Sequence, residues 1–127
     1  MKNQTRELIK FYKLKKYDFM GFQLIKSQAT YHHIVKREDG GLCTLDNGAV
    51  LMPNNHRYLH IIECKDLEIY ILINKILKII NERQEPPTEY DFKYISELLS
   101  WFEEKHKDDV NAKGKKLIKH SYLTRDF

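Results

Sequence analysis

Cysteine, proline and glycine are all scarce in this chain: of 127 residues, two are cysteine, three proline and five glycine. Cys43 and Cys64 are too few for a disulfide framework and too far apart for a Cys-x-x-Cys zinc clasp, so they read as two buried, inert thiols. Any bound metal is then expected to use nitrogen and oxygen ligands. No repeat or low-complexity tract is present, and no long hydrophobic run. The strongest apolar stretch, "LEIYILINKILKII", is interrupted by Glu68, Asn74, Lys75 and Lys78. It falls short of the ~20 apolar residues that a spanning helix needs. The N-terminus is charged, with no apolar signal region behind it, which predicts a cytoplasmic protein without a membrane partner.

What is present is a chain 42% hydrophobic and 31% charged, the composition of a globular protein. Its length suits a single domain over 1–127 with a modest core. The net charge of +4 is unevenly spread: +5 over residues 1–16 and +4 over 110–127, which leaves −5 for the middle. Basic ends around an acidic centre suit termini that touch a polyanion, although solubilising tails would give the same distribution.

The segment "NQTRELIKFYKLKK" has Leu8, Phe11 and Tyr12 at helical spacing, and Gly21 marks a break after it. "GFQLIKSQ" alternates loosely, as a short strand does. "ATYHHIVK" is β-branched and aromatic, "REDGG" supplies turn residues, and "GAVLM" reads as the return strand of a hairpin. Pro53 blocks that strand's extension, and Asn54 or Asn55 is a good N-cap for the helix "HRYLHIIEC". From Leu67 to Asn81, strand propensity competes with the three-and-four spacing of Leu72, Ile73, Ile76, Leu77 and Ile80, which favours a helix. Thr88 and Asp91 form a capping-box variant for a last helix, whose stripe of Ile95, Leu98, Leu99 and Phe102 is core. The segment after Asp109 reads as a loop or basic arm. The predicted class is therefore α+β and mainly helical, with a core motif over 29–63, a helical extension over 67–107 and a basic tail over 110–127.

The histidines carry the chemistry. His56 and His60 lie four apart on the predicted helix, so both imidazoles project from one face and can share one ion. His32 and His33 are neighbours in a strand, where consecutive side chains face opposite ways, so one ligand and one non-ligand is the economical arrangement. Metal-assisted phosphodiester cleavage needs a divalent ion to neutralise charge on the phosphate and leaving oxygen, a base for water, and rigid elements to hold both.

In the ordered set His32-His33-Ile34, the turn Gly40-Gly41, Asn47, then His56 and His60, the chain resembles the HNH, or His-Me finger, nucleases. The intervals of nine from Asn47 to His56 and of four from His56 to His60 are ones that family favours. The doubled histidine looks most like the nuclease domains of DNA-degrading colicins, and the following helices like small HNH proteins of bacteria and phages. The resemblance implies a ββα-metal finger embedded in flanking helices, and a DNA (possibly RNA) endonuclease. His32, His56 and His60 would be ligands of one divalent ion (Mg, Mn, Ni or Zn). His33 would be the general base, with Asn47 bracing the loop that aims it. An imidazole, with an ordinary pKa of about 6.5, suits that proton transfer near neutral pH. The chain lacks the paired cysteines with which many members bind a structural zinc; Met52 and Asn55 stand near those places, so the flanking helices are expected to hold the finger.

Arg57, Lys36 and Arg37 are candidates to grip phosphates beside the site. No base-reading element stands out. Asp46 and Glu63 flank the motif and are candidates to orient a ligand histidine through its second nitrogen. Tyr31 is expected to pack in the hairpin, His106 to be exposed near a helix C-terminus, and His120 to lie in the basic tail. Two other classes remain open beside the nuclease. One is an HNH-like fold kept for binding nucleic acid or a protein, as in a phage-encoded inhibitor or adaptor; the other is a histidine-rich structural zinc module.

Overall fold

Helix α1 (Asn3–Phe11) opens the computed structural model, which describes residues 3–110, with side chains through 108. The helix stops at Phe11, short of the periodic segment's end. Lys13 takes a left-handed backbone (φ 52°) and the Leu14 N–H turns back to the Ile9 carbonyl. Leu8, Ile9 and Tyr12 are buried, while Phe11 stays exposed.

The strand expected over "GFQLIKSQ" does not form. Asp18 is fully buried, and its Oδ1 accepts the N–H groups of Met20 (2.8 Å) and Phe22 (3.0 Å), closing a turn in which Gly21 has φ 90°. With those amides turned onto the carboxylate, pairing here shrinks to one bridge between Tyr17 and Gln23, followed by a 3-10 turn over Lys26–Gln28.

Strands β1 (Thr30–His33) and β2 (Gly48–Leu51) form a two-stranded antiparallel sheet in which Thr30 faces Leu51, Tyr31 faces Val50, His32 faces Ala49 and His33 faces Gly48. Glycine is required at 48 because a Cβ there would stand 2.4 Å from the Tyr31 ring. The connecting loop makes two 3-10 turns, Arg37–Asp39 and Leu45–Asn47.

Helix α2 (Pro53–Lys65) begins two or three residues earlier than expected, with Met52 rather than Asn54 or Asn55 at the N-cap and Pro53 in the first turn, where its missing N–H costs nothing. Asp18 explains the shift. Its Oδ2 accepts the Met52 N–H (2.8 Å) and the Nδ2 of the buried Asn55 (3.0 Å), so the helix start is capped by a side chain 34 residues upstream. Asp66 then caps α3 (Leu67–Arg83) by accepting the Ile69 N–H, and Gln84 ends it in a left-handed conformation (φ 60°). Helix α4 (Glu89–Lys105) starts with the expected reciprocal capping box of Thr88 and Asp91. A short turn, α5 (Lys107–Val110), follows.

The fold is thus mixed α+β and mostly helical, with α1, α3 and α2 packed around the small sheet and α4 against α3. One continuous apolar cluster runs from Leu8 through Phe19, Val50, Leu59 and Ile73 to Phe102. Ile95, Leu99 and Phe102 are buried and Leu98 packs against them. No helix among the described residues is long and apolar enough to cross a membrane.

Two local expectations are corrected. Cys43 and Cys64 are free but exposed, the first in the hairpin loop and the second on the outer side of α2. His106 is no surface residue: its Nε2 lies 2.7 Å from Asp66 Oδ2 and its ring packs on Phe102, tying the end of α4 to the start of α3. The expected arm over 111–127, with His120, lies outside the described residues.

Candidate functional site

Helix α2 has two faces. Asn55, Tyr58, Leu59 and Ile62 are buried in the core, and the opposite face presents His56, His60 and Glu63 at helical intervals. Strand β1 crosses this second face. As a result His32, His33, His56 and His60 all border one open cleft of about 530 Å³, together with Tyr31, Lys36, Arg37, Glu63 and Tyr70.

The ring centres of His32 and His56 are 5.5 Å apart and nearly perpendicular (88°); those of His56 and His60 are 5.0 Å apart and stacked within 23°. Two imidazoles sharing one tetrahedral ion have ring centres roughly 5 Å apart, so these spacings suit a shared cation. The stacked pair does not yet converge on a point. Among the described residues, no three His, Cys, Asp or Glu side chains form a ready-made ion site.

The donors are chemically suited to a borderline divalent ion. Burial, opposed by the Asn74 contact and reinforced by repulsion from His56, His60 and His33, pushes the His32 pKa down to about 4. Burial, then repulsion from His60 and His33, brings His56 to about 4 as well. Both rings are therefore neutral at physiological pH, the form in which imidazole binds metal. Each also has one nitrogen engaged: His32 Nε2 lies 2.9 Å from Asn74 Oδ1, and His56 Nδ1 lies 2.9 Å from Thr30 Oγ1. His60 Nδ1 stands 3.5 Å from Glu63 Oε1.

His33 sits at the end of β1, its ring edge-on to Tyr31 at 4.7 Å. Tyr31 is packed as expected, its hydroxyl donating to the Thr44 carbonyl (2.7 Å). Just beyond His33, Asn47 spans the hairpin. Its Oδ1 accepts the Val35 N–H (2.8 Å), and its Nδ2 donates to the Val35 and Leu42 carbonyls (3.0 and 2.9 Å). Its own carbonyl accepts the Ile34 N–H. Gly41 makes room for this brace, since a Cβ there would collide with the Val35 carbonyl and Asn47 Nδ2.

The basic candidates divide. Arg37 borders the cleft and is exposed; Arg57 is exposed but is not among the cleft's lining residues. The Lys36 ammonium is ion-paired with Glu63 and lies 3.6 Å from Glu38, so it does not stand open to a phosphate. Burial alone would raise the Glu63 pKa, but the bonds from Lys36 and His60 outweigh it and hold the carboxylate below its ordinary range. Of the two carboxylates considered as orienters, Glu63 meets His60, whereas Asp46 is occupied by the Thr44 hydroxyl.

Thr30 and Asn74 also belong to the site, although no motif in the sequence marks them. The available signal was a pair of asparagines, Asn74 and Asn81, seven apart in an otherwise apolar helix. Both hook the hairpin: Asn74 Nδ2 donates to the Ile34 carbonyl (2.8 Å), and Asn81 Nδ2 to those of Leu45 and Gly48 (2.7 and 2.8 Å). No protein family, characterised protein or solved structure gives a significant match to the chain.

Proposed function

We propose that the chain is a metal-dependent endonuclease of the HNH, or His-Me finger, type, hydrolysing phosphodiester bonds in DNA, with the hairpin and α2 as its ββα-metal finger. One observation carries this reading: all four histidines of the motif border a single cleft. His32, His56 and His60 would hold one divalent ion, which when bound supplies charge neutralisation at the scissile phosphate and the leaving oxygen.

The remaining roles fall to the chain's own groups. His33 takes the proton of the attacking water at an imidazole nitrogen, with Tyr31 restricting the ring's swing. Asn47 fixes the backbone directly after His33, so the base is held at the cleft rather than on a free strand end. Arg37 and Arg57 meet flanking phosphates, and Lys36 joins them once a phosphate oxygen replaces Glu63.

The test is plasmid cleavage by the purified chain with Mg²⁺, Mn²⁺, Ni²⁺ or Zn²⁺. The wild type should nick or linearise the plasmid, and His33→Ala should lose that activity while keeping metal uptake. A wild type inert with all four ions overturns the reading; loss of metal uptake in His33→Ala exchanges the roles of the two strand histidines. A second reading, a binding module for a protein partner in a phage or host, is favoured by one surface feature. Leu72, Ile79, Tyr94 and Trp101 are exposed along a groove between α3 and α4.

A further inference from the structure

Two hydrogen-bond chains leave no choice about which nitrogen of two cleft histidines carries the proton. Thr30 has one hydroxyl hydrogen, and its Oγ1 lies 2.7 Å from the Leu51 carbonyl and 2.9 Å from His56 Nδ1. A carbonyl cannot donate, so the hydroxyl hydrogen goes to Leu51. The remaining contact is satisfied only if His56 Nδ1 carries a hydrogen and donates it to Oγ1. In the neutral ring, Nε2 is then the bare nitrogen.

Asn74 decides His32 in the same way. Its Nδ2 lies 2.8 Å from the Ile34 carbonyl, and the opposite amide orientation would set two acceptor oxygens against each other. Oδ1 therefore faces His32 Nε2 at 2.9 Å, and that nitrogen must be the donor. His32 is left with Nδ1 bare.

We infer that Thr30 and Asn74 are positioning residues, fixing the two rings so that His56 offers Nε2, and His32 Nδ1, to a divalent cation. The inference rests on the metal-site reading above and extends it in two respects. It assigns the donor atoms, and it makes α3, through Asn74, a working part of the site rather than a support for the fold. The two devices act on different elements: Thr30 reaches from β1 to a ring on α2, and Asn74 reaches from α3 to a ring on β1. Each partner also holds a backbone carbonyl of the hairpin, Leu51 or Ile34, so ring orientation and strand position are set together.

Long-range ¹H–¹⁵N correlation spectra of the imidazoles, recorded on the full chain in EDTA near pH 7.5, read the tautomers directly. Calorimetric titration with Zn²⁺ reads the consequence. The wild type should show His56 protonated on Nδ1 and His32 on Nε2. Thr30→Val should release the His56 tautomer and weaken Zn²⁺ binding by roughly 10–100-fold, while Thr30→Ser, which keeps the hydroxyl, should hold both. Asn74→Leu should do the same to His32; if that variant fails to fold, the Thr30 pair still decides. Zn²⁺ uptake by a wild type with the opposite tautomers, or an affinity unmoved in a folded Thr30→Val, overturns the inference and leaves the nuclease reading intact. The stated tautomers without any Zn²⁺ uptake overturn the metal-site reading, and the inference with it.

Discussion

Acid should unfold the metal-free protein at a pH where most domains are still folded, and the cleft histidines set the size of the effect. His32 and His56 are both brought from an ordinary 6.5 down to about 4 in the folded chain. Unfolding returns them to water, where they take up protons below their ordinary pKa. Their contribution to stability is therefore complete above about pH 7 and is lost as pH falls towards 4. A difference of about 2.5 pH units corresponds to about 3.4 kcal/mol per ring, so about 7 kcal/mol is the ceiling for two. The true sum is smaller, because part of each depression is repulsion by neighbouring imidazoles and is counted twice. Even about 5 kcal/mol rivals the whole stability of a small domain, about 5–15 kcal/mol. Urea unfolding in EDTA at intervals from pH 7.5 to 4.5 should show stability falling by roughly 2 kcal/mol per pH unit below pH 6. The double variant His32→Asn/His56→Asn, weaker overall, should show a much shallower slope. A wild-type free energy constant within about 1 kcal/mol between pH 7.5 and 5 would refute the reasoning, since two imidazoles held neutral by burial, full for His32 and partial for His56, cannot be indifferent to protons.

Other outcomes follow from particular contacts. Asp18→Asn keeps the shape of the side chain but turns an amide donor towards groups that already donate, Met52 N–H and Asn55 Nδ2, or Met20 and Phe22 N–H. It should cost about 2–4 kcal/mol, visible as a lower urea midpoint with unchanged slope. Asp66, held at a pKa of about 2 chiefly by its bonds from His106 and Lys105, adds stability that is full above about pH 4 and is lost as pH falls through about 2. Asp66→Ala should therefore lose about 1–2 kcal/mol at pH 7 and a smaller difference at pH 3, measured by thermal melts at both. Arg37→Ala and Arg57→Ala should each flatten the salt dependence of DNA binding by about one counterion in a filter-binding titration. A slope unchanged in both would remove these residues from the nucleic-acid surface.

The elements legible in the sequence were those specified locally. The capping box at Thr88 and Asp91, the periodic stripe of α4, and the hairpin bounded by "REDGG" each depend on residues a few positions apart, where propensity and spacing suffice. The cluster of His32, His56 and His60 was legible for the same reason, since a strand, a turn and one helix face determine it. What escaped depends on distant partners. The start of α2 lies earlier than its asparagines suggest because its cap comes from Asp18, and the strand over "GFQLIKSQ" fails because that same carboxylate takes the Phe22 amide and closes a turn at its beginning. His106 looked exposed because nothing nearby in sequence announces Asp66 as its partner. Thr30 and Asn74 were invisible as site residues because a hydroxyl and an amide acquire a role only once the fold brings histidines beside them.

The placement of Asp18 also bears on how far this motif can be cut down. One carboxylate gathers amides from both the turn that precedes the hairpin and the helix that follows it, so the segment 29–63 is not a detachable module. Excised alone, it would keep every histidine yet lose the anchor that sets the angle at which the helix leaves the sheet. A graft onto another scaffold would have to carry residues 18–22 as well, or reproduce their charge at the helix mouth by other means.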